Sequence, residues 1–463
     1  MSESPQINSN IKFLNGQIAG KELFQGETFR IASEAFSLPA EQMAFLDILG
    51  NVIYSFYKAC NLIYRRSWKE NKSPWVSQYM DMGKPVSIVS LSRQKKFNGD
   101  LPRVLRPDLL LTEEGFSLTE LDSVPGGIGL TGFLNQVYQE IEEGILGSNG
   151  KMVIHFMRTL QEITGKGAQT QIALCVSDES YMYRPEMDWI ASEMVKFNAK
   201  VIVVSPSELD YRDDAVFCGD FKIDVIYRFF ELFDLPDIPQ QLALLEAVEK
   251  QFVHITPPIK PVLEEKMWFS LFRHPELQDQ WHRELGDKGM KIMDSLIPTT
   301  TIMDPSPLPP QALLSGLKIN HWDGLKAFSQ KERDWIVKIS GFSPMAWGAK
   351  GVYYGSDLPQ DEWKKVIDQA LSSFPHNPYI IQKFSATKIY GQNYISGSDQ
   401  VTLMKGRVRL CPYYFVIDNK PALSGALATI CPSDKKLIHG MDVAVLSPLG
   451  IRQNLNDYGT AVS

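Results

Sequence analysis

The sequence predicts a mixed α/β protein with a helical N-terminal region. Three observations predict it. Apolar residues recur at three- and four-residue spacing after Pro39, strand-like runs alternate with helical stretches between 171 and 230, and antiparallel strand pairs are readable near 103–125 and 407–432. A chain of 463 residues has room for about three domains or lobes. Apolar residues make up 44% and charged residues 22%, the balance of a soluble globular protein that buries a core without staples.

Residues 1 to 35 read as an irregular lead-in. Phe45, Leu49, Val52, Ile53, Phe56, Cys60, Ile63 and Tyr64 then form one apolar face of a long helix that ends near 65–72. VLRPDLLLT and FSLTELDSV read as two short strands around the turn Glu113-Glu114-Gly115. Pro125-Gly126-Gly127 breaks the second strand, and a helix is expected across 133–145. QIALCV (171–176), KVIVVS (200–205) and KIDVIYRFF (222–230) are strands, with a helix at 185–197 between the first two. Strands alternating with helices imply a parallel sheet with crossovers, so an open α/β domain is expected at 166–260.

ITPPIKP (255–261) is a Pro-rich joint, followed by a helical stretch at 263–272 and a second joint, IMDPSPLPP (302–310). DWIVKIS (334–340) is a strand leading to a Gly-containing loop at 341–351, and a strand resumes at 352–354. A helix at 363–371 precedes the strand PYIIQKF (378–384). RVRLCPYYFVID (407–418) and PALSGALATICP (421–432) read as an antiparallel pair turning at Asp418-Asn419-Lys420. No internal repeat or low-complexity segment is visible.

Composition excludes several classes. Lys plus Arg is 47 and Asp plus Glu is 54, a net charge of −7, and a mildly acidic chain without a basic run is a poor match for a duplex nucleic-acid binder. Anionic ligands remain open, since they need only a local cluster of cations. The five cysteines are odd in number, widely spaced and without C-x-x-C, which excludes a disulfide framework and a zinc ribbon and suits a reducing compartment. MSESPQINSN lacks the basic and apolar regions of a secretory signal, and no apolar run reaches the length of a membrane span. A cytoplasmic protein is the expectation.

The most informative cluster is Arg106, Asp108, Glu120 and Asp122. Alternation puts Arg106 and Asp108 on one face of their strand, and Glu120 and Asp122 on one face of theirs. If the two strands pair, three carboxylates and a guanidinium converge. Hard oxygen donors suit Mg²⁺, and an Arg beside them can hold a phosphoryl group in a bidentate grip. A solvated hairpin face is the plainer reading. Lys338 ends a strand before a loop with Gly341, Gly348, Lys350 and Gly351, which can cover phosphates with backbone N–H groups and point charge. The loop matches neither the Walker A nor the dinucleotide fingerprint, and a hairpin loop with incidental glycines is the alternative. Gln382 ends an apolar strand where an amide can meet an adenine edge. Arg407 and Arg409 share a strand face. None of the seven histidines has metal-ligand spacing, and no G-x-S-x-G elbow occurs, so Cys218 and Cys411 read as buried thiols.

The order of these elements resembles the ATP-grasp ligases with a circularly permuted arrangement, glutathionylspermidine synthetase and its bacterial relatives among them. RPD (106–108) and ELD (120–122) stand where that family has an Arg-x-Asp strand and a Glu-x-Asn strand, and PGG (125–127) follows. IDVIYRFF is similar to its "vDviyRR" stretch, with Arg228 kept and Phe229 at the second Arg. LEEKMWF looks like its "ENKa" segment, with Lys266 at the lysine. KISGFSPMAWGAKGV and YIIQKF look like its phosphate loop and its "yvxQ" strand. The resemblance spans roughly 100–430. It departs at Asp122, where Asn is usual, and at Ile339, where Pro is usual. No amidase half with a nucleophilic Cys is evident.

The resemblance implies an ATP-grasp-like fold with permuted element order. A helical region at 1–100 would be followed by an Mg-binding strand pair and helix at 101–165, the open α/β domain at 166–260 and nucleotide-binding lobes at 261–463. It implies ATP and Mg²⁺ as cofactors, and ligation of a small-molecule carboxylate to an amine through an acyl phosphate, with no nucleic-acid or membrane partner. In that scheme Asp108, Glu120 and Asp122 hold Mg²⁺, and Arg106 and Arg409 stabilise the transferring group. Lys338, Gly348, Lys350, Gly351, Gln382 and Lys266 seat the nucleotide. Two other functions fit the same residues: a small-metabolite kinase, and a non-catalytic binding protein.

Overall fold

Alternate side chains of one long strand, Gln400–Ile417, divide the core in two. Val408, Leu410, Tyr414 and Val416 point into one apolar cluster, while Cys411, Tyr413 and Phe415 point into another. A strand buried on both faces needs this continuous apolar run, and the period of two sorts its residues. The computed structural model describes residues 5–24, 29–122, 124–307, 314, 316–346, 348, 350–397, 400–436, 438 and 443–451. His439, residues 308–310 of the second Pro-rich joint, and positions 347 and 349 of the Gly-containing loop lie outside the described residues.

The long strand is central to the largest sheet, whose order is Arg30–Ile31, Val445–Ile451, Lys420–Pro432, Gln400–Ile417, Val104–Thr112, Gly115–Asp122. The early hairpin therefore lies beside a strand three hundred positions later, with Arg409 opposite Leu110 and Tyr414 opposite Leu105. One face of this sheet is covered by the helices Ala40–Lys69 and Gln278–Leu296, where Phe56 stacks on Trp281 with ring centroids 5.0 Å apart. The other face carries the helices Ile128–Tyr138 and Lys151–Gln161, which share a second core with a four-stranded parallel sheet.

That parallel sheet has the order His254–Thr256, Val225–Phe229, Gln171–Val176, Lys200–Val204. A separate antiparallel sheet, Thr300–Ile302, Tyr379–Lys383, Trp335–Ile339, Val352–Tyr354, rests on the helix Gln360–Ser372 through the buried Trp363. Both sheets contain the strands expected there.

Four expectations are corrected. The lead-in contains a helix, Pro5–Ile18, whose Ile11 and Leu14 are buried at helical spacing. The helix after the glycine pair starts at Ile128 rather than 133, because Gly127 in the left-handed region (φ 84°) opens it. The run 222–230 is two strands. Asp224 breaks it by accepting hydrogen bonds from Gln171 N at 2.9 Å and Lys166 Nζ at 2.7 Å, and Phe221–Ile223 joins a small antiparallel sheet instead. The first Pro-rich joint overlaps the edge strand His254–Thr256, where proline costs no ladder hydrogen bond beyond the strand's end. The helix Gln278–Leu296 has no counterpart in the sequence reading, because its polar face outnumbers its buried Trp281, Met290 and Met293.

Gly50 tests the packing of the long N-terminal helix. A Cβ there would lie 2.5 Å from Cδ1 of Tyr414, whose ring is fully buried and whose hydroxyl donates to Leu46 O at 2.7 Å. Alanine gains about 1 kcal/mol of helix propensity and loses roughly 1–3 kcal/mol to overpacking. Gly50→Ala is expected to lower the urea midpoint; a rise would show that Tyr414 yields.

Candidate active site

A β-bulge aims the acidic side chains. Asp108 pairs with Glu120 and Leu109 with Leu118, so Thr119 stands outside the register. Without the extra residue, Leu118 and Glu120 would share a face. With it, Leu118 joins the core while Glu120 and Asp122 turn with Asp108 and Arg106 toward a cavity of about 600 Å³. That volume suits a small-molecule ligand. Arg409 and Tyr413 of the long strand line the same cavity.

Asp108 is the anchor. Its side chain is 4% exposed, and it accepts from Arg106 Nε at 2.9 Å and Arg409 Nη1 at 3.1 Å. Burial pushes its carboxyl up, but the two guanidinium groups pull harder and hold it below the ordinary range. Cys411 lies against the same carboxylate, 3.4 Å away, and burial with that charge pushes its thiol up to about 12, which disfavours the thiolate. Arg106 is fully engaged: Nη1 donates to Gly126 O at 3.1 Å and Nη2 pairs with Asp122 at 2.8 Å. Tyr413 Oη also donates to Gly126 O, at 2.7 Å. Arg409 differs, since its buried Nε has no hydrogen-bond partner. Burial raises the Asp122 carboxyl against the pull of Arg106, and Glu120 and Asp108 add to the rise.

Two lysines face these acids. Lys338 is 6% exposed and donates from Nζ to Thr119 O at 2.8 Å, the carbonyl of the bulged residue. Burial pushes its ammonium down to about 8, with Glu120 opposing and Lys266 helping. Lys266 pairs with Glu120 at 2.7 Å. Burial lowers its ammonium, yet the Glu120 carboxylate leaves it above the usual lysine range. Gly341, Gly348 and Gly351 border the cavity. At Gly351 a Cβ would lie 2.7 Å from Met345 O, so the turn closes only on glycine.

The structure thus brings together Arg106, Asp108, Glu120, Asp122, Lys266, Lys338, Gly348, Gly351 and Arg409. It does not bring Gln382, whose amide is buried and donates to Thr300 Oγ1 at 2.9 Å, nor Lys350, which is exposed on the loop with its charge felt by Asp234. The three carboxylates proposed for Mg²⁺ are each paired with a cation. Among the described residues, no group of three or more His, Cys, Asp or Glu is gathered to hold a metal ion.

Sequence reasoning missed another acidic wall. Glu231 and Glu264 line the cavity beside Phe229 and Phe230. Glu264 pairs with the fully buried Arg228, which also donates to the carbonyls of Pro257 and Phe230. Burial, then Glu264 and Asp122, push Glu231 well above the carboxylate range. The available signal was positional: these residues follow the carboxyl end of a parallel strand, where open α/β sheets bind ligands. Glu186 was also missed. It accepts from Gly127 N and Leu130 N, both at 3.2 Å, at the start of the helix Ile128–Tyr138.

Lys338 gives the site a pH signature. The unfolded chain holds this proton more tightly, so the cost of burying the ammonium is full below about pH 8 and fades as pH rises toward the unperturbed value of about 10.4. Anion binding runs the other way, since it needs the charge. Affinity for pyrophosphate is expected to be greatest below about pH 8 and to weaken above it, by at most about tenfold per pH unit. Calorimetric titration across that range checks this, and Lys338→Met should flatten the profile.

No protein-family model and no curated protein matches the chain. Solved structures do. A glutathione synthetase-like effector from Globodera pallida, in its apo form, matches 97% of this chain over 98% of its own, with a TM-score of 0.60 and 9% identity. A protein assigned as a gamma-glutamylcysteine synthetase from Methylobacillus flagellatus covers 84% of this chain and 86% of its own at 12% identity, but its TM-score of 0.42 is too slight to define the fold. The first likeness extends over nearly the whole chain: this protein has the fold of a glutathione synthetase-like protein.

Proposed function

We propose that the chain is an ATP-dependent carboxylate–amine ligase of the ATP-grasp type with permuted element order. It would form an amide through an acyl phosphate and release ADP and phosphate. The observation that carries this reading is the meeting of Lys338, Lys266 and Arg409 with Glu120 and Asp122 across one cavity bordered by a glycine loop. Phosphoryl transfer asks for little else: cations around the transferring group, carboxylates for a divalent ion, and a cover against water.

Glu120 and Asp122 keep 38% and 26% of their side chains exposed, and their mutual repulsion is a field that a divalent cation relieves. Asp108, at 4%, is held by two guanidinium groups, and freeing one partner of such a buried pair costs about 3–5 kcal/mol. In this reading Glu120 and Asp122 hold the metal, and Asp108 orients the arginines around it. Mg²⁺ bound there supplies charge neutralisation on the transferring phosphoryl group.

The chain's own side chains have distinct parts. Lys338 and Lys266 place positive charge beside the phosphates, and on nucleotide binding Lys266 exchanges Glu120 for a phosphate oxygen. Arg409, whose side chain keeps 22% of its surface exposed, offers its guanidinium to the acyl phosphate, while Arg106 positions Asp108, Asp122 and the Gly126 carbonyl. Glu231 and Glu264 line the cavity's other wall, where their carboxyl groups can hydrogen-bond an acceptor substrate. The partners this calls for are small molecules.

Incubation with ATP, Mg²⁺ and pools of acids and amines is expected to release ADP and phosphate only when both an acid and an amine are present. AMP and pyrophosphate would refute the acyl-phosphate route, and a stable phosphorylated product without an amine requirement would make the protein a kinase. Glu120→Ala is expected to lower turnover by about a hundredfold or more with an unchanged circular-dichroism spectrum. Full turnover in that variant would remove the metal assignment.

A further inference from the structure

The root of the glycine loop is held from below by a buried charge network that reaches into the N-terminal helical region. Lys84 lies in the turn between the helices Trp75–Asp81 and Val86–Ser92. Its Nζ is 2.5 Å from Glu265 Oε1, and both side chains are 1% exposed. The same oxygen accepts from Phe342 N at 3.4 Å, and the Glu265 Oε2 atom accepts from Ser340 Oγ. Lys84 Nζ also sits 5.8 Å from the centre of the Phe342 ring.

Two close approaches fix this arrangement. At Gly341 a Cβ would lie 2.7 Å from the Glu265 carboxyl carbon, so only glycine lets the loop pass over the carboxylate. At Gly83, with φ 71°, a Cβ would lie 1.7 Å from His376 O, so the turn carrying Lys84 is wedged against the segment before the strand Tyr379–Lys383. Backbone bonds complete the joint: Lys266 N donates to Ser340 O at 2.9 Å and Met267 N to Ser340 Oγ at 3.0 Å. Glu265 thus stands between Lys266, which reaches Glu120, and the loop that borders the cavity.

A buried ion pair is weak grounds for stability, since apolar residues of similar volume often serve as well. Its carboxylate does have direction, which apolar packing lacks. One Glu265 oxygen serves Lys84 and Phe342, and the other serves Ser340. We propose that the Gly83-Lys84 turn and Glu265 form a strut that positions the 341–351 loop and Lys266 for nucleotide. Lys84 and Glu265 are then positioning residues, and the N-terminal region is part of the nucleotide site. The proposal rests on the ligase reading for the identity of the ligand.

The test pairs two measurements on the full chain. In the double variant Lys84→Met with Glu265→Leu, both charges leave together and volume is kept, so cooperative unfolding near the wild-type temperature is expected. Hydrogen exchange of amides 340–351 should quicken without nucleotide while exchange elsewhere holds, and the Kd for ATP should rise by about tenfold or more. Ser340→Ala, which removes one grip on Glu265 and neither charge, should shift both readouts in the same direction by less, and it carries the test if the double variant fails to fold. Wild-type loop exchange and wild-type ATP affinity in these variants would overturn the strut. If the unaltered protein binds no ATP, the ligase reading fails instead, and loop exchange alone decides the strut.

Discussion

An ammonium group buried against a carbonyl that a β-bulge has freed is the contact on which the site depends. Lys338 Nζ meets Thr119 O across a cavity whose walls come from chain segments more than two hundred residues apart. Each side makes the other tolerable. The bulge takes Thr119 out of the ladder, and an unpaired buried carbonyl would cost about 1–3 kcal/mol. The lysine, nearly free of solvent, needs an acceptor and an acidic field to keep its proton. The same inserted residue turns Glu120 and Asp122 into the cavity, so one irregularity supplies both the acceptor and the field.

The charges around that contact divide into holders and offerers. Arg106 spends its guanidinium on Asp108, Asp122 and Gly126 O, and Asp108 spends its carboxylate on two arginines. Such saturated groups are rigid, because each partner is costly to release. Arg409, Lys266, Glu120 and Asp122 lie in the same cavity with looser ties or more exposure, and those are the groups a ligand can recruit. Burial raises the carboxyls of Asp122 and Glu231, with Glu120 and Asp108 adding to the first and Glu264 and Asp122 to the second. Lys338, Lys266 and Arg409 on one cavity leave it with a cluster of cations that an anionic group can meet.

Much of this was legible in the sequence for a simple reason. Period-two alternation fixes which strand residues share a face, so Arg106 with Asp108 and Glu120 with Asp122 were readable as pairs. The parallel sheet followed from strands alternating with helices, and the turn at Asp418-Asn419 from its residue types; both adopt positive φ there. Alternation cannot foresee a bulge, and without the Thr119 bulge the phase of Leu118 and Glu120 comes out wrong. Nor can it follow a side chain past its Cβ. Gln382 stands on the expected strand, but its amide turns to Thr300, and Lys350 stands on the expected loop without lining the cavity. Glu231 and Glu186 were hidden because a carboxylate next to a strand end or a helix start looks the same whether it faces a cavity or water.

The N-terminal region shows where local patterns stop. Its long helix is plain from apolar spacing, yet nothing in residues 75–92 signals that Lys84 reaches a carboxylate 181 positions away. Hydrophobic periodicity reports burial, and Lys84 is a buried residue on a short polar turn, which periodicity reads as surface. A likeness at 9% identity means that the same fold is kept by largely different side chains. A carboxylate with assigned oxygens has no apolar substitute that aims. The particular chemistry of this chain is therefore carried by its few buried polar joints, Lys338 on the bulge, Asp108 between arginines and Glu265 under the loop, rather than by the packing that surrounds them.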